Sequence, residues 1–396
     1  MAVIGRNQLR TQLIPFFAFY VACTLPLCLL GFGSDNDTYL VLDAGRATWA
    51  IGKLQTSRNP GYWLYEAVVY VISCMGGYVA TNVASLLLGA FILWRLLLIC
   101  ERLQIRNRFL LVSCAIATPV FLIACSSTID YVWSAACLII ALEAMTSSRF
   151  LPAIVAGVLA IGFRPSNSVV LGGMYAGILL YLVITERKSR ILFQMMISGV
   201  ATVSLSALFF IPSFLLAHHS MAFLAPMAGP ADMWTWKMHA GRFFYKTLYL
   251  FGPLASCFLL LSFIFRRKTL ILVHCGRPLA LLITGLIGGC AAGVVLFAKF
   301  PIEISYLLPA MIFFLPLAGL TILNKRSILA VFLVLVALSN FVLVSLAKPN
   351  IAGRSTDAKI QFALAAGTLI EDCRSRLRLR SCETYNCWES IMPHPI

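Results

Sequence analysis

The sequence predicts an all-α polytopic membrane protein with about eleven transmembrane helices, and three observations carry that prediction. The 396 residues are 60% hydrophobic and only 12% charged, with a mean hydropathy of +0.90. A water-soluble core cannot hide so much apolar surface, so lipid must serve as part of the solvent. The apolar residues gather into segments of roughly 20, the length that crosses a bilayer. The basic residues fall in short clusters between those segments, as membrane orientation is written, and not along one soluble face as nucleic-acid binding requires.

Taken in order, the predicted spans cover 14–32, 79–100, 109–126, 128–146, 150–164, 166–185, 191–217, 243–265, 279–298, 305–323 and 327–347. The first ends without a small-x-small cleavage pattern and reads as a retained span. Three longer segments, 33–78, 218–242 and 348–396, lie outside the spans, giving one membrane domain over 1–347 with two decorated loops and a C-terminal tail. Residues 38–54 read as an interfacial helix. The stretch 61–78 is apolar enough to insert but carries Glu66 and a Tyr/Trp-rich start. Counting it as a span would translocate every later basic loop, so it is assigned to the interface as an amphipathic or re-entrant helix.

With Arg6 and Arg10 in the cytoplasm, eleven spans put sixteen of the 31 basic residues in short loops on the same side. Twelve of the fifteen carboxylates then share the opposite face, and only Glu101, Glu143 and Glu186 lie inside. The thirteen cysteines are mostly scattered in apolar runs, with no CxxC or Cys/His metal spacing. In the tail, Cys373, Cys382 and Cys387 would face an oxidising compartment, where one disulfide and one spare thiol are expected.

The chemistry-bearing residues start immediately after the first span, at Ser34-Asp35-Asn36-Asp37-Thr38-Tyr39. Two carboxylates one residue apart can share a proton or a divalent cation, or supply a general base. They can equally cap the next helix. The same loop continues with Ser57-Arg58-Asn59-Pro60-Gly61-Tyr62-Trp63-Leu64-Tyr65-Glu66, which by its Asn-Pro-Gly centre is a turn followed by interfacial aromatics.

A first span, an Asp-x-Asp loop, an amphipathic helix and then Arg-x-Pro-Gly-Tyr-x-x-Tyr-Glu together resemble the bacterial membrane glycosyltransferases of the GT-C superfamily, related to the protein O-mannosyltransferases and the lipid A aminoarabinose transferases. The resemblance is most specific over 33–78. Weaker echoes are Asp130-Tyr131, Gly162-Phe163-Arg164-Pro165 and Glu303-x-x-Tyr306-Leu307-Leu308-Pro309, all on the outer face in this topology. Two departures stand out: Trp63 occupies a position where relatives often carry Pro, and Asp35-Asn36-Asp37 replaces the adjacent Asp-Glu pair of the aminoarabinose transferases. The large soluble C-terminal domain of some relatives has no counterpart here beyond 348–396.

The resemblance implies an inverting transfer of a sugar from a polyprenyl-phosphate carrier to a lipid, glycan or protein acceptor at the extracytoplasmic face of a bacterial inner membrane, with no cofactor beyond that possible cation. One carboxylate must align or deprotonate the acceptor, and cations must hold the leaving phosphate. By that resemblance Asp35 or Asp37 is the base, and Arg58 and Arg164 engage the phosphate, since a guanidinium can do so bidentately. Tyr62, Glu66, Asp130, Glu303 and Tyr306 join the substrate site. Lys237, Arg242, Lys246 and Lys299 form a second tier of cations, for which lipid-headgroup contact or snorkelling is the plainer reading.

The 218–242 loop, with His218, His219, Asp232, Trp234, Trp236, Lys237 and His239, reads as a lid over an amphiphilic substrate. Its histidines and Asp232 match no standard zinc spacing. Arg374, Arg376, Arg378 and Arg380 alternate with Ser and Leu and are expected to lie on anionic lipid. Two other classes fit part of the pattern: a transporter or flippase for an envelope precursor, and a non-catalytic assembly subunit. Against transport, the ionisable residues concentrate in loops and span ends, away from the midplane.

Overall fold

The structure, a computed structural model, describes residues 6–185, 190–218, 235–265, 276–347 and 361–384. All eleven apolar segments are helical over most of their length. The chain is a multi-pass, all-α membrane protein. Among the described residues, four helices are long and apolar enough to cross a membrane alone, and up to six if two bent pairs each count as one span.

After α1 (Arg6–Cys28) and the short α2 (Asn36–Trp49) comes α3 (Trp63–Arg102), whose backbone leaves helical geometry at Gly76 and Gly77. Gly77 has a φ of 57°, a region glycine enters without steric cost, so one 40-residue helix becomes an entry segment and a span. The break falls where the interfacial stretch was expected to give way to the span at 79.

Two expected spans are broken. Residues 109–126 form α4 (Arg108–Ala117) and α5 (Pro119–Ser126), bent by 70°. Pro119 removes a helix donor and pushes Thr118 into the extended region, at ψ 123°. The expected span 243–265 is α11 (Trp236–Tyr249) and α12 (Pro253–Phe265), meeting at 91°. Here Gly252, at φ 86°, precedes Pro253, and the pair turns the corner. The more polar first half of this stretch is thus a separate helix set at a right angle to the apolar second half.

Between these lie α6 (Tyr131–Thr146), α7 (Phe150–Phe163), α8 (Asn167–Thr185), α9 (Arg190–Ser206) and α10 (Ile211–Leu216), and after them come α13 (Arg277–Lys299), α14 (Leu308–Leu320) and α15 (Arg326–Ser339). Helices α8 and α13 pack most closely of all. Gly173 and Gly177 of α8 face Gly288 and Thr284 of α13, and a β-carbon at Gly173 or Gly288 would run into the other's backbone. Small residues four apart are the usual means of bringing two membrane helices together, since lipid tails provide no hydrophobic drive between them.

The last span ends early. Helix α15 stops at Ser339, where the buried Asn340 donates its side-chain N–H to Ala117 O at 2.6 Å. The chain continues as β1 (Val342–Ala347), antiparallel to β2 (Gln361–Ala366) with Val342 opposite Ala366. Residues 342–347 were expected to finish the span, because a Val/Leu run fits a strand and a span end equally well. Beyond β2, α16 (Thr368–Thr384) docks against α5.

Candidate active site

The first loop is fixed from below before it presents any charge. Asn82, buried within the apolar run of α3, donates to Cys28 O at 3.0 Å and Gly31 O at 2.7 Å. Its side-chain oxygen accepts from the Thr128 hydroxyl at 2.9 Å. Thr128 also meets Thr81 at 2.6 Å, and its carbonyl accepts from the Thr38 hydroxyl at 2.9 Å. This network ties the end of α1, the start of α2 and the α5–α6 junction to one helix. Each polar group is buried with a partner, which makes the arrangement stiff.

On this base Asp35 is the N-cap of α2, its carboxylate accepting from Asp37 N at 3.0 Å. Asp37 sits in the first helical turn, where the helix dipole favours an anion. Asp37 forms an ion pair with Arg58. Arg58 also reaches Asp130 at 3.1 Å, and the other oxygen of Asp130 accepts from Arg164 at 2.6 Å. Asp130 is wholly buried and Arg164 is 1% exposed. The two guanidinium groups that share this carboxylate offset the cost of burying it.

Three tyrosine rings surround the pair: Tyr62 at 4.0 Å from Arg58, and Tyr131 and Tyr306 at 3.6 and 4.7 Å from Arg164. The Tyr131 hydroxyl donates to Glu303 at 2.6 Å. Glu66 stands one step away, its buried carboxylate accepting from Ser57 N at 2.9 Å and the Ser57 hydroxyl at 2.5 Å. It thereby fixes the backbone immediately before Arg58. Gly61, at φ 109°, has Trp63 and Ser213 where a β-carbon would go, and the Trp63 indole donates to Ser213 at 2.8 Å. Trp63 thus fastens the loop to α10.

Above the cluster opens a cavity of about 630 Å³, with Asp35, Glu303, Lys246, Thr38 and Ser127 on one side and Thr368, Glu371 and Ser375 of α16 on the other. Oxygens of Asp35, Asp37 and Glu303 lie within 4.8 Å of one another, close enough for one divalent cation to touch all three. Asp37 would first have to release Arg58. Burial, with Glu303 next in weight, pushes the Asp35 carboxyl up to about 6, against the pull of Arg58. Of the two carboxylates in the Asp-x-Asp motif, Asp35 lines the cavity and Asp37 is held by a cation.

The structure therefore gathers Asp35, Asp37, Arg58, Tyr62, Asp130, Arg164, Glu303 and Tyr306 in one place, with Glu66 behind the loop. Arg164 does not line the cavity, and the cation that does is Lys246, whose ammonium also donates to Ile302 O. Lys237 and Arg242 are exposed on α11, Lys237 beside the Trp236 ring at 5.9 Å. Lys299 lies in the last turn of α13 beside Phe300. His239 hydrogen-bonds Ala298 O at 2.7 Å, whereas His219, Asp232 and Trp234 lie outside the described residues.

The tail differs from the expectation of a segment lying on lipid. Arg376 is 1% exposed and donates to Ser126 O at 2.8 Å and Leu27 O at 3.3 Å, while pairing with Asp372 at 2.8 Å. Asp372 in turn accepts from the Ser34 hydroxyl at 2.5 Å. Alternation of Arg with Leu reads as a solvated face, and nothing local distinguishes the one arginine that helix docking buries. Cys373 carries a free thiol, while the Cys382 side chain and Cys387 lie outside the described residues. Sequence reasoning quoted Tyr131 and Ser57 within motifs but gave them no role, and it passed over the Thr81–Asn82–Thr128 network. An asparagine inside an apolar span is the signal that marks the last.

Comparison with solved structures gives ArnT from Cupriavidus metallidurans in its apo state, at a TM-score of 0.53 and 14% identity over 79% of this chain. The likeness gives this chain the helical membrane fold of ArnT. The same ArnT bound to undecaprenyl phosphate aligns equally well, at a TM-score of 0.53 and 14% identity over 78% of this chain. In both cases the chain spans about three fifths of the ArnT length, 59%. Comparisons with protein-family models and with curated proteins give no match.

Proposed function

We propose that the chain is an inverting glycosyltransferase that moves a sugar from a polyprenyl-phosphate-linked donor to an acceptor in the 630 Å³ cavity. The observation that carries the reading is the placement of Asp35, whose carboxyl burial pushes up to about 6, and a cation, Lys246, on the wall of one cavity above the Arg58–Asp130–Arg164 cluster. The bound undecaprenyl phosphate of the ArnT structure supports the donor class. The charge bias of the loops supports an extracytoplasmic cavity, an N-terminus in the cytoplasm and a bacterial inner membrane.

In this reading Asp35 accepts the proton of an acceptor hydroxyl as that oxygen attacks the anomeric carbon. The carbon–oxygen bond to phosphate breaks on the opposite face, and the polyprenyl phosphate leaves with the electron pair. A single displacement needs one base and no nucleophilic carboxylate. Lys246 and Arg58 stabilise the charge developing on the leaving phosphate, Arg58 by exchanging Asp37 for it. Arg164, walled in by Tyr131 and Tyr306, holds Asp130 and through it the height of Arg58. Glu303 keeps Asp35 basic by repulsion. The displacement requires no cofactor; a divalent cation at Asp35, Asp37 and Glu303 would supply further stabilisation of anionic oxygens.

The test is release of free polyprenyl phosphate by purified protein from a panel of polyprenyl-phosphate sugars, with membrane extract as acceptor. Wild type releases it, Asp35→Asn does not, and Asp37→Asn retains part of the activity. Failure of wild type with every donor, together with neutral substitutions in cells, would return the chain to the transporter or assembly-subunit classes.

A further inference from the structure

A second polar cavity lies at the other end of the bundle. Helix α3 begins at Trp63 beside the candidate active site, and after its break at Gly76-Gly77 it runs to Arg102, about 38 Å further at 1.5 Å per residue. Helix α13 runs the opposite way, from Arg277 to Lys299, a similar length of 23 residues. Where Arg102 and Arg277 meet the end of α6 there is a cavity of about 570 Å³, lined by those two arginines, by Thr146, Ser147 and Ser148, and by the apolar Ile191, Leu279 and Leu282.

The described lining of this cavity carries charge of one sign, that of its arginines. No carboxylate is among its described lining residues. The two acidic side chains nearest in sequence are committed elsewhere, Glu101 to Arg108 at 3.3 Å and Glu143 to Arg95. Arg102 has no ion pair among the described residues. Arg277, the first residue of α13, brings a second guanidinium to the cavity wall. Two guanidinium groups, three hydroxyl-bearing residues and a room of this size suit a phosphate group. The apolar part of the lining suits the glycerol and first methylenes of a lipid, and basic pockets between helices are the usual seat of anionic headgroups.

We infer that this cavity binds a phosphate-bearing anion, the headgroup of an anionic phospholipid or a free phosphate, at the face of the membrane opposite the candidate active site. The inference does not depend on the transferase reading, and its readout is binding.

The experiment uses the full chain in detergent and three probes: phosphatidylglycerol in mixed micelles, phosphatidylcholine in the same micelles, and inorganic phosphate at millimolar concentration. Thermal unfolding and native mass spectrometry report binding. Phosphatidylglycerol should raise the Tm and remain bound, and phosphatidylcholine should not. In Arg102→Gln/Arg277→Gln the apparent affinity should fall about tenfold or more, whereas Arg106→Gln/Arg326→Gln, with equal charge loss outside the cavity, keeps it. Ser147→Trp, which fills the space without removing charge, should lose the shift as well and covers a failure of the double variant to fold. A cavity-dependent shift with inorganic phosphate alone would assign the site to a soluble anion, and a shift only with phosphatidylglycerol to a lipid. Equal shifts in wild type and all variants, or equal loss in the cavity and control variants, would overturn the site.

Discussion

The two ends of this helix bundle treat charge in opposite ways. At the acidic end Asp37, Arg58, Asp130 and Arg164 alternate in sign, the last two fully buried, each is held by a partner, and both arginines face aromatic rings. At the basic end Arg102, Arg106 and Arg326 are exposed at helix ends or in a turn, and Glu101, 48% exposed in its side chain, meets Arg108 at 3.3 Å. The first arrangement costs desolvation that only a complete set of partners offsets; the second costs almost nothing and is screened by salt. A chain keeps the expensive arrangement where geometry must be fixed, which is why chemistry is sought at the acidic end. Substitutions should therefore act strongly and differently there, and weakly at the other end.

The largest effect is expected at Asp35. Asn caps a helix as well as Asp does, so Asp35→Asn keeps α2 and removes only the proton acceptor. In the polyprenyl-phosphate release assay the rate should fall about 10²- to 10⁴-fold, with Tm equal to wild type or higher. A matching fall in Tm would mean the carboxylate is structural, and the contrast between the two ends would lose its catalytic meaning.

Next comes Asp130→Asn, which leaves Arg164 buried without its counter-charge. Breaking one partner of a buried pair typically costs about 3–5 kcal/mol, and thermal unfolding in detergent should show a loss of this order. A neutral result would mean that water or lipid reaches Arg164, contrary to its 1% exposure.

These two positions also show how much the sequence reveals. The membrane class, the helical state of the apolar segments and the break at Gly76-Gly77 follow from local pattern, because lipid imposes one solution on an apolar run. The corners at Thr118-Pro119 and Gly252-Pro253 were written in the same local code, and a count by length alone overlooks them. The names Asp35, Arg58, Asp130 and Arg164 come from a family resemblance, but their pairing does not. Asp130 lies 72 residues from Arg58 and 34 from Arg164, and only the packing of α3, α6 and α7 decides which cation it meets. Burial of Arg376 and the presence of Lys246 on the cavity wall are of the same kind. Both depend on where a helix docks, and a run of alternating arginines or an amphipathic segment carries no record of that.

Acidity offers a milder probe of the same contrast. Folding raises the Asp35 carboxyl above its ordinary value to about 6, so its protonated form is the one the fold favours. The stability this contributes is full below about pH 4 and is lost as the pH rises through 6. The base runs the other way: turnover should rise through the same interval, about tenfold from pH 5 to its plateau above 7. A profile flat from 5 to 8 would remove Asp35 from the proton path. Glu303→Gln, by removing the neighbouring charge, should shift the midpoint downward.

The smallest effect is expected at the basic end, where Arg108 meets Glu101. Exposed pairs of this kind contribute about 0–1 kcal/mol, because water screens the attraction and two long side chains give up freedom to meet. Arg108→Gln should leave Tm within a degree or two and turnover unchanged, and raising the salt should erase whatever difference remains. A loss comparable to that of Asp130→Asn would show that this end, too, depends on fixed charge geometry. The comparison would then rest on what the cavities bind, since both ends would be equally rigid.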